Sequence, residues 1–174
     1  MMYRFNKWQY DFQVIGGWYE KDIAIGTGWA GNLKNASFKG EATYFHPQES
    51  WSDSIGSVSV STSLDYMFKN NVYGSVGYLF NSGGNVDNLS LANIDVLNVP
   101  VSAKNLMPAK HSTLLTVAYP INPLLSASVV AVYSPSLNFL LGMPSLSYSI
   151  SNNWEAALFG QSYWVGADFM NLGN

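Results

Sequence analysis

Apolar and polar residues alternate with a period of two through most of this 174-residue chain. In segment 58–68 one parity reads Val58, Val60, Thr62, Leu64, Tyr66, Phe68, and the other Ser59, Ser61, Ser63, Asp65, Met67. Successive side chains of a strand point to opposite faces, so this pattern predicts a strand with one apolar and one polar face. Segments 10–19, 23–33, 37–46, 72–82, 111–121, 139–150 and 154–164 alternate in the same way. Segment 124–134 is apolar on both parities and does not declare its register, and residues 1–8 form a weaker tenth candidate.

The connections follow their own rule. Lys34-Asn35-Ala36, Lys69-Asn70-Asn71, Asn122-Pro123 and Ser151-Asn152-Asn153 carry turn chemistry and are short. Between them fall links of variable length: Glu20-Lys21-Asp22, 47–57, 83–110 and 135–138. Tight turns alternating with variable links predict an antiparallel up-and-down sheet with one tight-turn end. Residues 1–174 read as a single all-β domain, and helical periodicity competes only faintly, inside 86–107.

Composition sharpens the picture. The chain is 48% apolar and 15% aromatic but only 11% charged, against about 25% in soluble domains. Disorder is excluded by the abundance of aromatic and aliphatic residues, and a disulfide scaffold by the absence of Cys. Helical membrane spans are excluded because runs such as Val129-Val130-Ala131-Val132-Tyr133 fall far short of the required length of about 20 residues. A net charge of −3 offers no basic footprint, so no nucleic-acid partner is expected.

The charges then sort by parity. Arg4, Asp11, Lys39, Glu41, Asp65 and Glu155 fall inside predicted strands, all on the polar parity, and no charge is mid-strand on the apolar one. Aromatic residues of the apolar parity gather near strand ends: Trp18, Tyr44, Tyr66, Phe68, Tyr119, Tyr133, Tyr148, Trp154 and Trp164. A charge on a lipid-facing strand position costs about 2–4 kcal/mol at the bilayer midplane, and amphipathic rings favour the headgroup level. A soluble barrel or sandwich also alternates, but its polar face would meet water and carry Lys and Glu. Here that face is mainly Ser, Gly, Ala, Thr and Asn, small enough to line a narrow interior.

The stretches Asp11-Phe12-Gln13-Val14-Ile15-Gly16-Gly17, Gly40-Glu41-Ala42-Thr43-Tyr44-Phe45 and Pro144-Ser145-Leu146-Ser147-Tyr148-Ser149, the last followed by Asn152-Asn153-Trp154, complete the pattern. In them the chain resembles the porin-like β-barrels of the Gram-negative bacterial outer membrane. The resemblance implies an antiparallel up-and-down transmembrane β-barrel, about ten of whose strands lie in this chain. It also implies the lipid bilayer as a partner and small hydrophilic solutes as cargo, and leaves oligomeric state open. The chain departs from the family at its ends: residues 1–4 open no charged-then-apolar leader, and Asn171-Leu172-Gly173-Asn174 lacks a terminal aromatic. Both departures predict a piece of a longer, incomplete barrel.

Other motifs carry less. Gly26-Thr27-Gly28-Trp29-Ala30-Gly31 fits a dinucleotide fingerprint literally, but a strand pattern follows where the phosphate-binding helix should stand. Gly26 and Gly28 read instead as positions of the polar face that leave room or ease a bend. Gly83-Gly84-Asn85-Val86-Asp87 has the wrong spacing for a calcium repeat, and Asp87, Asn88 and Asp95 read as a solvated loop. His46 and His111 sit at strand ends. His111 and Thr113 share a face, yet no orienting Asp or Asn can be assigned, so a lipid hydrolase ranks third. No cofactor, metal or catalytic set is expected.

Loop 83–110 is long enough to be functional. Its Leu89, Leu91, Ile94, Val96, Leu97, Val99 and Val101 call for burial, beside Lys104 and Lys110. It reads equally as a constriction loop folded into the barrel mouth or as an extracellular cap. The expectation is therefore a channel lined by Arg4, Asp11, Lys39, Glu41, Asp65 and Glu155, with Lys104 and Lys110 at the constriction. The competing class is a structural or adhesive barrel whose interior is filled by its own side chains and whose loops bind a partner.

Overall fold

The computed structural model describes residues 1–48, 56–87 and 102–166. These form an all-β antiparallel sheet whose strands neighbour one another in chain order. The strands are β1 (Met2–Lys7), β2 (Tyr10–Tyr19), β3 (Asp22–Leu33), β4 (Ala36–Pro47), β5 (Ser57–Met67), β6 (Tyr73–Asn81), β7 (His111–Asn122), β8 (Leu125–Ser134) and β9 (Phe139–Ser151). Two shorter pieces follow, β10 (Trp154–Phe159) and β11 (Ser162–Val165). Both pair with β9, on successive stretches of it, so together they occupy one lane interrupted at Gly160-Gln161. The sheet thus has ten lanes, as the alternation predicts, and it is open: β1 and β10 do not pair with each other.

Register settles which side chains share a face. One ladder row runs Arg4, Gln13, Gly28, Glu41, Ser61, Leu79, Ser112. It leaves through Phe139 and Val165 on the last two lanes. The row crosses β2 at Gln13, three residues from the tight-turn end at Tyr10, and β9 at Phe139, twelve from its tight-turn end at Ser151. That is a climb of nine residues over seven strand steps. With a rise of about 3.3 Å per residue and about 4.8 Å between strands, the strands tilt by about 40°. Closed barrels tilt by about 35–45°.

The two faces differ in burial in the sense opposite to a soluble domain. Every buried strand residue lies on the polar parity, including Asp22, Phe45, Ser59, Asn81, Ser112, Val132, Ser134 and Phe139. The apolar parity is exposed along its length, through Val14, Trp18, Ile25, Leu64, Val76, Leu115, Val117, Val129 and Leu158. Small residues crowd one face and large ones the other, so the sheet curves toward the small side. The ambiguous segment 124–134 resolves the same way. Val129, Ala131 and Tyr133 join the outer rows, and Val130 and Val132 the inner ones.

The glycines of the inner face have a specific use. A Cβ on Gly28 would stand 2.9 Å from the Gln13 amide nitrogen, and one on Gly26 2.9 Å from the Ile15 methyl. These positions are empty because neighbouring side chains lean across them. They build the wall and belong to no phosphate loop, since a strand continues through both.

Candidate functional site: the inner face and its strap

A single cavity of about 1020 Å³ is lined by residues from β1 to β8, Arg4 at one end and Val132 at the other. Eight strands laid flat would span about 34 Å, so one cavity can touch all of them only because the sheet wraps around it. The row containing Arg4, Gln13, Gly28, Glu41 and Ser61 lines it, with the neighbouring row containing Asn6, Asp11, Ala30, Lys39 and Ser63.

Four of the six expected lining charges therefore border the cavity: Arg4, Asp11, Lys39 and Glu41. Two of them are already engaged. Lys39 Nζ lies 2.7 Å from Asp65 Oδ2, and Ser75 Oγ donates to the other oxygen of Asp65 at 2.6 Å. Asp11 accepts from Asn6 Nδ2 at 2.8 Å. Glu155 stands on the far lane, on the same face, and accepts from Ser147 Oγ. Arg4 and Glu41 have no hydrogen-bond or ion-pair partner among the described residues.

No protein-family model, curated protein or solved structure matches this chain. The site must therefore be read from its own geometry.

Residues 102–110 run along the inner face as a strap at the long-link end. Asn81, fully buried, donates from Nδ2 to the Met107 carbonyl at 3.2 Å and to Asn105 Oδ1, while its own Oδ1 accepts from the Gly83 N–H. Backbone bonds Asn85 N to Pro108 O and Lys110 N to Asn85 O, of 2.8 and 3.0 Å, stitch the root of the strap to the end of β6. At the far side the Ala103 N–H donates to the Tyr19 hydroxyl at 3.3 Å, and the Lys104 ammonium pairs with the buried Asp22 carboxylate. The strap therefore spans from β6 to β2 and β3, and Met107 enters the cavity lining. Of the two expected loop lysines, Lys104 acts through its side chain. Lys110 bonds through its backbone. The apolar run from Leu89 to Val101, with Asn88 and Asp95, lies outside the described residues.

On the outer face the aromatic residues occupy two levels. Trp18, Tyr44, Tyr133 and Trp164 stand within three residues of the long-link ends of their strands. Tyr66, Tyr119 and Tyr148 do so at the tight-turn end, where Phe68 follows β5 directly and Trp154 opens β10 at a register shift. Each histidine meets a tyrosine: the Tyr44 hydroxyl lies 2.8 Å from His46 Nδ1, and that of Tyr78 2.7 Å from His111 Nδ1. His111 and Thr113 do share the outer face, through their pairing with Phe80 and Tyr78. The nitrogen that a triad would present to an orienting carboxylate or amide faces a phenol instead.

One feature of the wall was not read from the sequence. From β6 to β9 the inner face turns apolar: Leu79, Leu114, Val130, Val132, Leu141 and Met143 all point inward by register. The signal was present as breaks in parity. Leu79 and Leu114 are large residues at positions where alternation calls for polar ones.

Proposed function

We propose that this chain forms the wall of a bacterial outer-membrane β-barrel channel, with the apolar face against lipid and the cavity as part of the solute path. One observation carries the reading. The sheet exposes an unbroken apolar face with aromatic residues at both ends, while its polar residues face a cavity. In water such a surface far exceeds the apolar patch a monomer tolerates. In a bilayer it is the stable arrangement, with polar groups inward and rings at the headgroups. Among the described residues the outer face carries a strand charge only at Lys7, the last residue of β1, whose ammonium rests 4.4 Å over the Trp8 ring.

Selectivity in such a channel follows pore width and the charges that line it. The inner face carries seven strand charges, two positive and five negative, with Asp22 offset by Lys104 of the strap, so cations should pass slightly more readily than anions. Reversal potentials across a planar bilayer under a KCl gradient measure this directly. A reversal potential of the cation-selective sign supports the reading; clear anion selectivity contradicts this assignment of the lining, and absence of conductance contradicts the channel. The second reading, a structural or adhesive barrel, draws on the strap, which partly fills the inner face. It predicts stable membrane insertion without conductance.

A further inference from the structure

We propose that the cavity is a binding site for short amphipathic organic cations, with the ammonium group at Glu41 and the apolar body on the β6–β8 wall. The inference rests on the channel reading for its biological setting but not for its chemistry. The cavity has two unlike halves. Among the inward-facing lining residues, the β1–β5 side carries charged and amide groups, Arg4, Asn6, Asp11, Gln13, Lys39 and Glu41; the β6–β8 side carries Leu79, Leu114 and Val132 beside Ser112, with Met107 of the strap. A freely hydrated path for polar solutes has no use for a contiguous apolar wall, whereas a solute with an apolar portion gains by covering it.

Charge chooses the polar end. Lys39 is held by Asp65; Asp11 keeps its charge while accepting from Asn6, but it is on β2, four strand steps from the apolar wall at β6. Of the two charges without a side-chain partner among the described residues, Arg4 is on β1, five strand steps from Leu79. Glu41 is on β4, two steps from Leu79 along the same ladder row. Two steps are about 10 Å, the length of an extended six-carbon chain with a terminal ammonium. A solute whose apolar end rests on Leu79, Leu114 and Val132 therefore brings its other end to a carboxylate.

The test is equilibrium binding of hexylammonium and hexanoate, below their aggregation concentrations, to the full chain in lipid nanodiscs, with empty nanodiscs subtracted. Hexylammonium should bind about threefold more tightly than hexanoate, the size of one partly exposed ion pair. Glu41→Gln should remove that preference and Glu41→Asp should restore it, which separates loss of the charge from misfolding. Leu114→Ser should weaken both ligands by about threefold through lost apolar contact while leaving their ratio unchanged. Equal binding of the two ligands, a preference that survives Glu41→Gln, or no binding above empty nanodiscs would each overturn the proposal. Conductance on the same preparation keeps the two claims apart. A non-conducting protein with the Glu41-dependent preference retains the site and loses the channel; a conducting protein without the preference does the reverse.

Discussion

Trp8 and Gln9 join β1 to β2 with both residues at positive φ, 54° and 64°. A two-residue hairpin turn whose twist matches its strands demands this geometry, and Asn-Gly is the usual solution. Neither Trp nor Gln is comfortable there, because Cβ crowds the following carbonyl at a cost of about 1–2 kcal/mol per residue. Gln9→Gly removes that clash and returns part of the gain as unfolded-state entropy. It should stabilise the protein by about 0.5–1 kcal/mol, read as a higher denaturant midpoint for loss of strand signal; an unchanged or lower midpoint would show the turn to be unstrained. Residue-level features of this kind were only partly legible in the sequence. Alternation assigned Lys39 and Asp65 to one face, but their contact depends on the register of β4 against β5, which no local pattern encodes. Leu79 and Leu114 were legible as breaks in parity but easily passed over: a face judged by its majority hides the minority that gives it chemistry.

At the level of elements, nearly every strand could be placed from period-two alternation, because a face that must stay apolar for ten lanes leaves little room for misreading. Four of the tight turns were legible because each carries Asn where the backbone must reverse; Trp8-Gln9, which has no such residue, was not. The strap was not. Residues 102–110 have no periodicity, and they are placed by individual groups: Asn81 beneath, Tyr19 and Asp22 at the far end. The strap is anchored at its root by backbone bonds and at its tip chiefly by Lys104, whose partner Asp22 is buried. Lys104→Ala should therefore loosen the tip first. Amide exchange at Ala103 is expected to rise about fivefold, equivalent to about 1 kcal/mol for a partly exposed pair, while Lys110, bonded to Asn85, keeps its protection. If exchange at Ala103 does not change, the Tyr19 hydroxyl and Asn81 hold the strap without the ion pair. A looser tip should also raise conductance if the strap narrows the path.

On the scale of the whole molecule, three properties support the proposed lipid environment. The strands tilt by about 40°, as closed barrels require; large apolar residues point away from the cavity; and rings mark two levels along the strands. A soluble sheet could share any one of these, and the deciding difference is what lies against the outer face. Val117 and Thr116 are neighbours near the middle of β7, pointing outward and inward respectively, and both border β8. In water a lysine at either position keeps its ammonium hydrated, and both substitutions would be mild. Against lipid, Val117→Lys should cost about 2–4 kcal/mol and Thr116→Lys far less, because only the first charge is placed at the bilayer midplane. Unfolding of the two variants from lipid vesicles measures the gap. A difference of that size assigns the outer face to lipid, and near-equal stabilities would return the protein to water and require another partner for its apolar surface.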